Sequence, residues 1–307
     1  MKFLQTINKV SLVLLATASV LSAQAQKLPN IQEASVLAPA NVKVDARLTD
    51  WGEQLQAYNK TVGVNYTLAN DDKNLYLVIK ATDQAITSKI TAGGITLAIN
   101  TEGKKSEENA YIISFPLVDA NSLRNQMSSF RPPAGVTGGA GMQMDTAALD
   151  KMRKQAVKTF KEIKLVGFKD ITDSVVSIYN EYGIKAGVDY DSKGAMICEL
   201  AIPLKYFNTS ASKPEFAYNL KLNGLDISAM INSMMAGGGF PGGGPGAGGN
   251  VVVVGGGPGG GGFGGGGGFG GGGGGFGGGG RMPRGMGDMQ GMTAPTDFWG
   301  KYTLAKK

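Results

Sequence analysis

Hydrophobic and polar residues alternate along several short stretches of the chain between residues 62 and 223. The clearest stretch is 75–82 (LYLVIKAT), in which apolar side chains occupy every odd position. Side chains of a β-strand point alternately to opposite faces, so this period of two predicts a strand with one face in a hydrophobic core. The preceding residues 70–74 (NDDKN) are typical of a hairpin turn, which makes 62–68 the partner strand.

The same period predicts a series of further short strands, some of them separated by polar, glycine-containing turns at 101–104 and 189–194. Many short strands at regular spacing favour an all-β fold, and we predict an antiparallel β-sandwich. The further predicted strands are 95–100, 110–115, 163–168, 175–179, 182–188, 195–202 and 216–223.

One segment within a predicted insertion at 119–162 has a helical period instead. Residues 145–162 place apolar side chains at intervals of three and four, and Asp145 can cap the first turn. We predict an amphipathic helix laid over an edge or mouth of the sandwich. Residues 128–144, rich in glycine, proline and methionine, predict a mobile loop before it, either functional or disordered. The apolar positions of the helix are Leu149, Met152, Ala156 and Phe160.

Residues 236–292 have a different composition, because they hold 34 of the 49 glycines. Gly-Gly-Phe units recur there, and the apolar content is too low to offset the entropy of ordering glycine, so we predict disorder. Strand-like residues 216–223 precede the segment and 296–304 follow it, which predicts an insertion in one sandwich and not a tail. The run 251–254 (VVVV) is the exception, since it is able to pair with a strand edge or another chain.

The N-terminal 25 residues resemble a signal peptide. Lys2 and Lys9 flank a short basic region, an apolar stretch follows at 10–21, and Ala23-Gln24-Ala25 suits signal peptidase. The apolar stretch is too short to span a bilayer. We predict cleavage before Gln26 and a secreted or periplasmic protein.

The chain contains one cysteine and no histidine. Cys198 therefore cannot form an internal disulfide, and its apolar neighbours predict a buried, inert thiol. The absence of histidine excludes histidine-dependent triads, the usual zinc sites and histidine-ligated haem. The net charge of +6 includes no basic cluster, so nucleic acid is not an expected partner.

Four stretches carry a resemblance to a known family. They are residues 41–52 (NVKVDARLTDWG), 65–83 (NYTLANDDKNLYLVIKATD), 198–207 (CELAIPLKYF) and 296–304 (TDFWGKYTL). Together they resemble family 9 carbohydrate-binding modules and their DOMON-like relatives. The resemblance implies a β-sandwich over 26–235 that is closed by a strand within 293–307. The framework positions that it implies are Asp45, Asp50, Trp51, Asp83, Glu199, Pro203 and Trp299.

The resemblance implies glycan binding through aromatic side chains and, in many members, a structural calcium ion held by loop oxygens. Trp51 and Trp299 both match framework positions, so tyrosines are the expected stacking residues. Asp71, Asp72 and Asp83 are the candidate calcium ligands. The candidate glycan-binding residues are Tyr58, Tyr66, Tyr111, Tyr179, Tyr182 and Tyr190.

Two other classes of function stay open. The protein could be a structural or adhesive envelope protein that assembles through its glycine- and phenylalanine-rich segment. It could also be a glycoside hydrolase or an accessory to one, which requires two acids at a fixed separation across a sugar. Most acids lie in predicted turns, so we expect a binding protein and not an enzyme.

Overall fold

The computed structural model describes residues 27–52, 55–118, 146–207, 214–225, 291 and 293–307. The predicted signal peptide, the loop at 128–144, the cap at Asp145 and nearly all of 236–292 lie outside these residues. The helices are α1 (Gln84–Gly93) and α2 (Thr146–Thr159). The strands are β1 (Ala57–Asn59), β2 (Val64–Asn70), β3 (Asn74–Ala81), β4 (Ile95–Asn100), β5 (Tyr111–Phe115), β6 (Glu162–Val166), β7 (Val175–Ser177), β8 (Lys185–Tyr190), β9 (Met196–Pro203), β10 (Glu215–Leu222) and β11 (Thr296–Thr303).

The strands form two antiparallel sheets, and the all-β prediction is confirmed at this level. Sheet A has the order β1-β2-β3-β9-β8, and sheet B has the order β11-β10-β4-β5-β6-β7. Each strand predicted from alternation is present, with bounds that differ by a few residues. Within the described ranges, no helix combines the length and the hydrophobicity that crossing a lipid bilayer requires.

The core lies between the sheets and is built from the inward faces of both. Leu77 and Ile79 of β3 belong to the same buried cluster as Leu97 of β4 and Ile113 of β5. Removal of these side chains from water is the main stabilising contribution, about 25 cal/mol per Å² of apolar surface. The predicted core face of β3 is therefore confirmed.

The opposite face of β3 is also buried, and the prediction of a single core face was wrong. Tyr76 and Val78 point away from the core but are covered. Segment 41–52 covers Tyr76, because the ring of Trp51 contacts the ring of Tyr76 edge-on at 5.7 Å between centroids. This segment is distant in sequence, so alternation within β3 does not reveal it.

Helix α1 connects sheet A to sheet B and was not predicted. Asp83 caps its first turn by accepting a hydrogen bond from the Ile86 amide at 3.0 Å. Gly94 ends it with φ of 74°, and a Cβ there would collide with the Pro116 carbonyl oxygen. Glycine therefore permits the tight entry into β4.

Helix α2 confirms the predicted helix in the insertion. Ala156 and Phe160 are buried in the common core, as the helical period predicted. The helix ends at Thr159, and β6 begins at Glu162, so the last predicted turn is not helical, and residues 160–161 link the helix to the strand.

Strands β10 and β11 are direct neighbours, with Leu222 opposite Thr296 and Glu215 opposite Thr303. The glycine-rich segment is thus inserted between two hydrogen-bonded antiparallel strands. Leu222 also pairs with Ile95, and Ile95 pairs with Phe115. The described residues that flank both long insertions therefore lie at one end of the sandwich, beside α1.

Candidate functional site

Glu199 lies in the middle of β9 and is only 2% exposed. Its Oε2 accepts hydrogen bonds from the main-chain amides of Asp45 at 2.8 Å and Ala46 at 2.6 Å. Its Oε1 accepts from the indole Nε1 of Trp51 at 2.7 Å. We call this set of four residues the Glu199 latch, because it fastens segment 41–52 to the outer face of sheet A.

The latch has a structural role. Burial raises the pKa of Glu199, while the bonds from Ala46, Trp51 and Asp45 oppose that rise. A buried carboxylate whose two oxygens already accept three hydrogen bonds has no exposed surface for a substrate. This residue is therefore unsuited to acid catalysis on a sugar in the described conformation.

The other framework residues support turns. The carboxylate of Asp50 accepts from the Lys43 amide at 3.0 Å, and that of Asp45 accepts from the Arg47 amide at 3.1 Å. Pro203 ends β9 directly before a short 3-10 turn. These contacts organise local chain direction, as does the cap at Asp83.

The six candidate tyrosines do not converge on one surface. Tyr66 and Tyr111 lie in the core, and the hydroxyl groups of Tyr66 and Tyr218 are 2.9 Å apart between the sheets. Tyr182 and Tyr190 are partly buried against the core. The Arg153 guanidinium lies over the Tyr190 ring, with its Cζ 5.0 Å from the ring centroid. These four side chains contribute mainly to packing.

Two candidate tyrosines are exposed, at opposite sides of the fold. Tyr58 is 40% exposed on the edge strand β1, and Tyr179 is 78% exposed just after β7. The Nζ of Lys161 lies 5.5 Å from the Tyr179 ring centroid. Because β1 and β7 are edge strands of different sheets, Tyr58 and Tyr179 are separate sites and do not form a clamp.

The three candidate calcium ligands also lie apart. Asp71 and Asp72 precede β3 and Asp83 follows it, a separation of about 25 Å along an eight-residue strand. Burial opposes ionisation of Asp71, but bonds from Lys73, Asn74 and Tyr76 outweigh it and lower its pKa. Asp72 pairs with the Lys307 ammonium at 2.5 Å.

The described residues contain no group of three or more acidic, histidine or cysteine side chains that could hold a metal ion. The three aspartates therefore do not form a shared calcium site. Each has a local partner that accounts for its position.

The outer face of sheet B presents a different set of residues. Register places Trp299 of β11 beside Asn219 of β10, then Ala98 of β4 and Ile112 of β5 in one row across the sheet. Small side chains in the middle of this row are flanked by larger ones. No described strand covers this face, although Ala98 and Asn219 in the middle of the row are buried, whereas Ile112 and Trp299 at its ends are partly exposed.

Trp299, Asn219 and Asp297 form one group on this face, which we call the Trp299 cluster. Trp299 is partly exposed, unlike the core residues Phe298 and Tyr302 on either side. The Asn219 side-chain amide donates to Asp297 Oδ2 at 2.6 Å and to the Phe298 carbonyl oxygen at 3.1 Å. Its Oδ1 is buried and has no hydrogen-bond partner among the described residues.

An unpaired buried acceptor costs about 1–3 kcal/mol, so Asn219 Oδ1 requires a donor such as water or a ligand hydroxyl. Both of its amide hydrogens are already donated, which fixes the side-chain orientation. The cluster therefore combines an aromatic surface, an unused acceptor and a carboxylate within neighbouring strands.

A polar network borders the cluster on the side of α1. Thr96 Oγ1 donates to Asn223 Oδ1 at 2.8 Å and lies 2.7 Å from Ser114 Oγ. Thr296 lies on the opposite side of β11, with Phe298 and Tyr302, and its Oγ1 accepts from the buried Lys89 ammonium at 3.1 Å; burial lowers the pKa of Lys89. This end of the face is rich in hydroxyl and amide groups.

Cys198 is buried beside Glu199, as the sequence predicted. Burial raises the pKa of its thiol to about 12, with a smaller contribution from the neighbouring Glu199 carboxylate. The thiol is therefore neutral near pH 7 and unsuited to nucleophilic chemistry.

A scan against protein-family models finds no match to the chain, and a search of curated proteins finds none either. The resemblance to family 9 carbohydrate-binding modules therefore stays a prediction that rests on its motifs.

Sequence reasoning missed the Trp299 cluster because it assigned Trp299 to the framework together with Trp51. A signal was present in residues 296–303 (TDFWGKYT), where Trp299 occupies an odd position and the apolar residues Phe298 and Tyr302 occupy even positions. Side chains at odd and even positions of a strand point to opposite faces of the sheet. Asn219, which lies between apolar residues in β10, carried the same kind of signal.

Proposed function

We propose that the protein is a non-catalytic, exported glycan-binding module whose ligand lies on the outer face of sheet B. The observation that carries the proposal is the Trp299 cluster. An indole face suits stacking on the apolar face of a pyranose ring, and amide and carboxylate groups suit sugar hydroxyls. Asn219 Oδ1 supplies an acceptor that the described residues leave unused.

The contrast between the two tryptophans supports this location. The Trp51 indole nitrogen is bonded to Glu199, and its ring packs on Tyr76, so Trp51 is committed to the latch. The Trp299 indole nitrogen has no partner among the described residues. Trp299 is thus the tryptophan that remains for a ligand.

The proposal is tested by a pull-down screen on polysaccharides, followed by calorimetric titration with the sugar class that binds. We expect Trp299→Ala to weaken binding by about tenfold or more, because a central aromatic contact is lost. Tyr58→Ala and Tyr179→Ala are matched controls, since each removes an exposed aromatic ring elsewhere on the fold. Both should bind as the parent protein does.

The screen is run with calcium and with a chelator. Loss of binding in chelator would reveal a metal requirement that the described residues do not explain. Full binding by Trp299→Ala, or loss with Tyr58→Ala or Tyr179→Ala, would contradict the location. No binding to any polysaccharide would contradict the function.

Assembly through the glycine-rich segment is the second candidate function. The direct pairing of Leu222 with Thr296 favours it, because the segment is presented from a rigid hairpin base. Replacement of 226–292 by a short turn should abolish self-association or surface retention if assembly is the function. Glycan binding should survive the same change if the Trp299 cluster is the site.

A further inference from the structure

Strand β11 is an edge strand whose outer side is available for pairing. It pairs with β10 over its whole length, and the Leu304 amide continues that ladder by donating to the Pro214 carbonyl at 3.1 Å. In an antiparallel ladder the hydrogen-bonded residues alternate, so even-numbered residues of β11 bond to β10. Asp297, Trp299 and Lys301 therefore direct their main-chain groups away from the sheet.

These outward main-chain groups have no partner among the described residues. The other edge strands offer less, because β1 and β7 contain three residues each and β8 is flanked by α2, whereas β11 contains eight. A long unpaired edge is a template for strand addition.

We propose that β11 pairs with β11 of a second copy of this chain, antiparallel about a two-fold axis at Trp299. The two copies of sheet B then form one continuous sheet. A two-fold interface requires a self-complementary surface, and an antiparallel strand pair meets that requirement.

The side chains of β11 select this partner and this register. With Trp299 opposite Trp299 of the partner subunit, Asp297 lies opposite Lys301 of the partner subunit, and the reverse pair forms by symmetry. Opposite charges directly across an antiparallel pair are stabilising. A shift of two residues in either direction loses both pairs, and a shift of one residue misaligns the hydrogen-bonding groups.

The charged residues are exposed, and each has one partner within its own subunit. Lys301 Nζ pairs with Glu215 Oε1 at 2.7 Å, and both side chains are about half exposed. Asp297 accepts from Asn219 through one carboxylate oxygen, Oδ2. The partner's lysine approaches from the open side of β11.

The pairing has a consequence that rests on the proposed glycan binding. Two Trp299 indoles, about 5.5 Å apart at their Cα atoms, would lie side by side on one sheet face. A polysaccharide would then contact two equivalent clusters, whereas a short oligosaccharide would need only one. Dimerisation itself does not depend on glycan binding.

The test is analytical ultracentrifugation of the full chain over a roughly hundredfold range of concentration. We expect a reversible monomer–dimer equilibrium in the parent protein. Lys301→Asp and Asp297→Lys should each raise the dimer dissociation constant by roughly tenfold or more, since each converts two attractive pairs into repulsive ones. The double variant Asp297→Lys/Lys301→Asp should restore dimerisation, because it exchanges the charges.

Lys164→Asp is the matched control, since Lys164 is exposed on the same face of sheet B but lies on β6. It should dimerise as the parent does, and circular dichroism should show the same fold for all variants. A parent protein that stays monomeric throughout would overturn the proposal. So would a dimer that is insensitive to the charge reversals, or one that the double variant fails to restore.

The same variants separate dimerisation from glycan binding. Lys301→Asp should keep the affinity for a short oligosaccharide and lose only the added affinity for a polymer. If no sugar binds but the charge reversals behave as described, the dimer stands and the proposed function fails.

Discussion

Replacement of Glu199 by glutamine should destabilise the protein through one identifiable contact. Glutamine has the same shape, and its single oxygen is able to retain the two main-chain hydrogen bonds that Oε2 accepts. The amide nitrogen then takes the place of Oε1 and faces the Trp51 indole N–H, which is also a donor. A carboxyl oxygen accepts at that point in either protonation state, and an amide nitrogen does not.

The expected cost follows from this geometry. A buried donor that loses its acceptor costs about 1–3 kcal/mol, so we expect Glu199→Gln to lower the unfolding free energy by about 2 kcal/mol. Trp51→Phe removes the facing donor, although it also loses packing on Tyr76. In the double variant the cost of glutamine should largely disappear, which gives a coupling energy of about 1–2 kcal/mol.

The assay is urea unfolding at neutral pH, followed by circular dichroism because Trp51 is itself a fluorescent probe. The two single variants and the double variant complete the cycle. Additive effects, or a cost of Glu199→Gln below about 0.5 kcal/mol, would refute the latch as the fastening of segment 41–52.

Three further predictions follow from the described residues. Burial raises the pKa of Glu199, so protonation adds stability that is complete below the ordinary glutamate pKa and is lost as pH rises through the folded value, while the contribution of the hydrogen bonds that is measured at neutral pH remains. The stability advantage of the parent over Glu199→Gln, measured by urea unfolding, should therefore fall from about pH 4 towards neutrality, and a rise would contradict it. The Cys198 thiol, with a pKa of about 12, should react with a thiol reagent only on unfolding, and rapid labelling of native protein would contradict its burial. Replacement of residues 226–292 by a turn of about six residues should keep the fold and stabilise it by about 2 kcal/mol, as calorimetry can check, whereas loss of cooperative unfolding would contradict the hairpin.

Alternation along the sequence was sufficient to predict the strands. In most of sheet B, an apolar residue that points into the core is followed along the strand by a polar residue that points outward. Alternation did not predict the burial of the outer face of β3. Segment 41–52, which covers Tyr76 on that face, is distant from β3 in the sequence. Helix α1 was missed because QAITSKITAG contains four β-branched residues and has weak helical propensity. Its conformation depends on the Asp83 cap and on the burial of Ile90.

The candidate site shows the same division. The absence of histidine excluded histidine-dependent chemistry, and the apolar neighbours of Cys198 predicted its inert thiol, so neither inference needed tertiary contacts. The Trp299 cluster depends on register between β10 and β11, which are separated by the glycine-rich insertion. No local pattern reports that Asn219 lies beside Asp297 and Trp299.

The two ends of the sandwich differ, and this difference determines how the subunits of the proposed dimer are arranged. Both long insertions are attached at the end beside α1, whereas Lys307 contacts Asp72 at the opposite end. An antiparallel β11 pair would place the insertion end of one subunit beside the Lys307 end of the other. The two glycine-rich segments would then be anchored at opposite ends of the dimer. Each dimer would thus be able to bridge two neighbouring dimers and extend into a linear assembly.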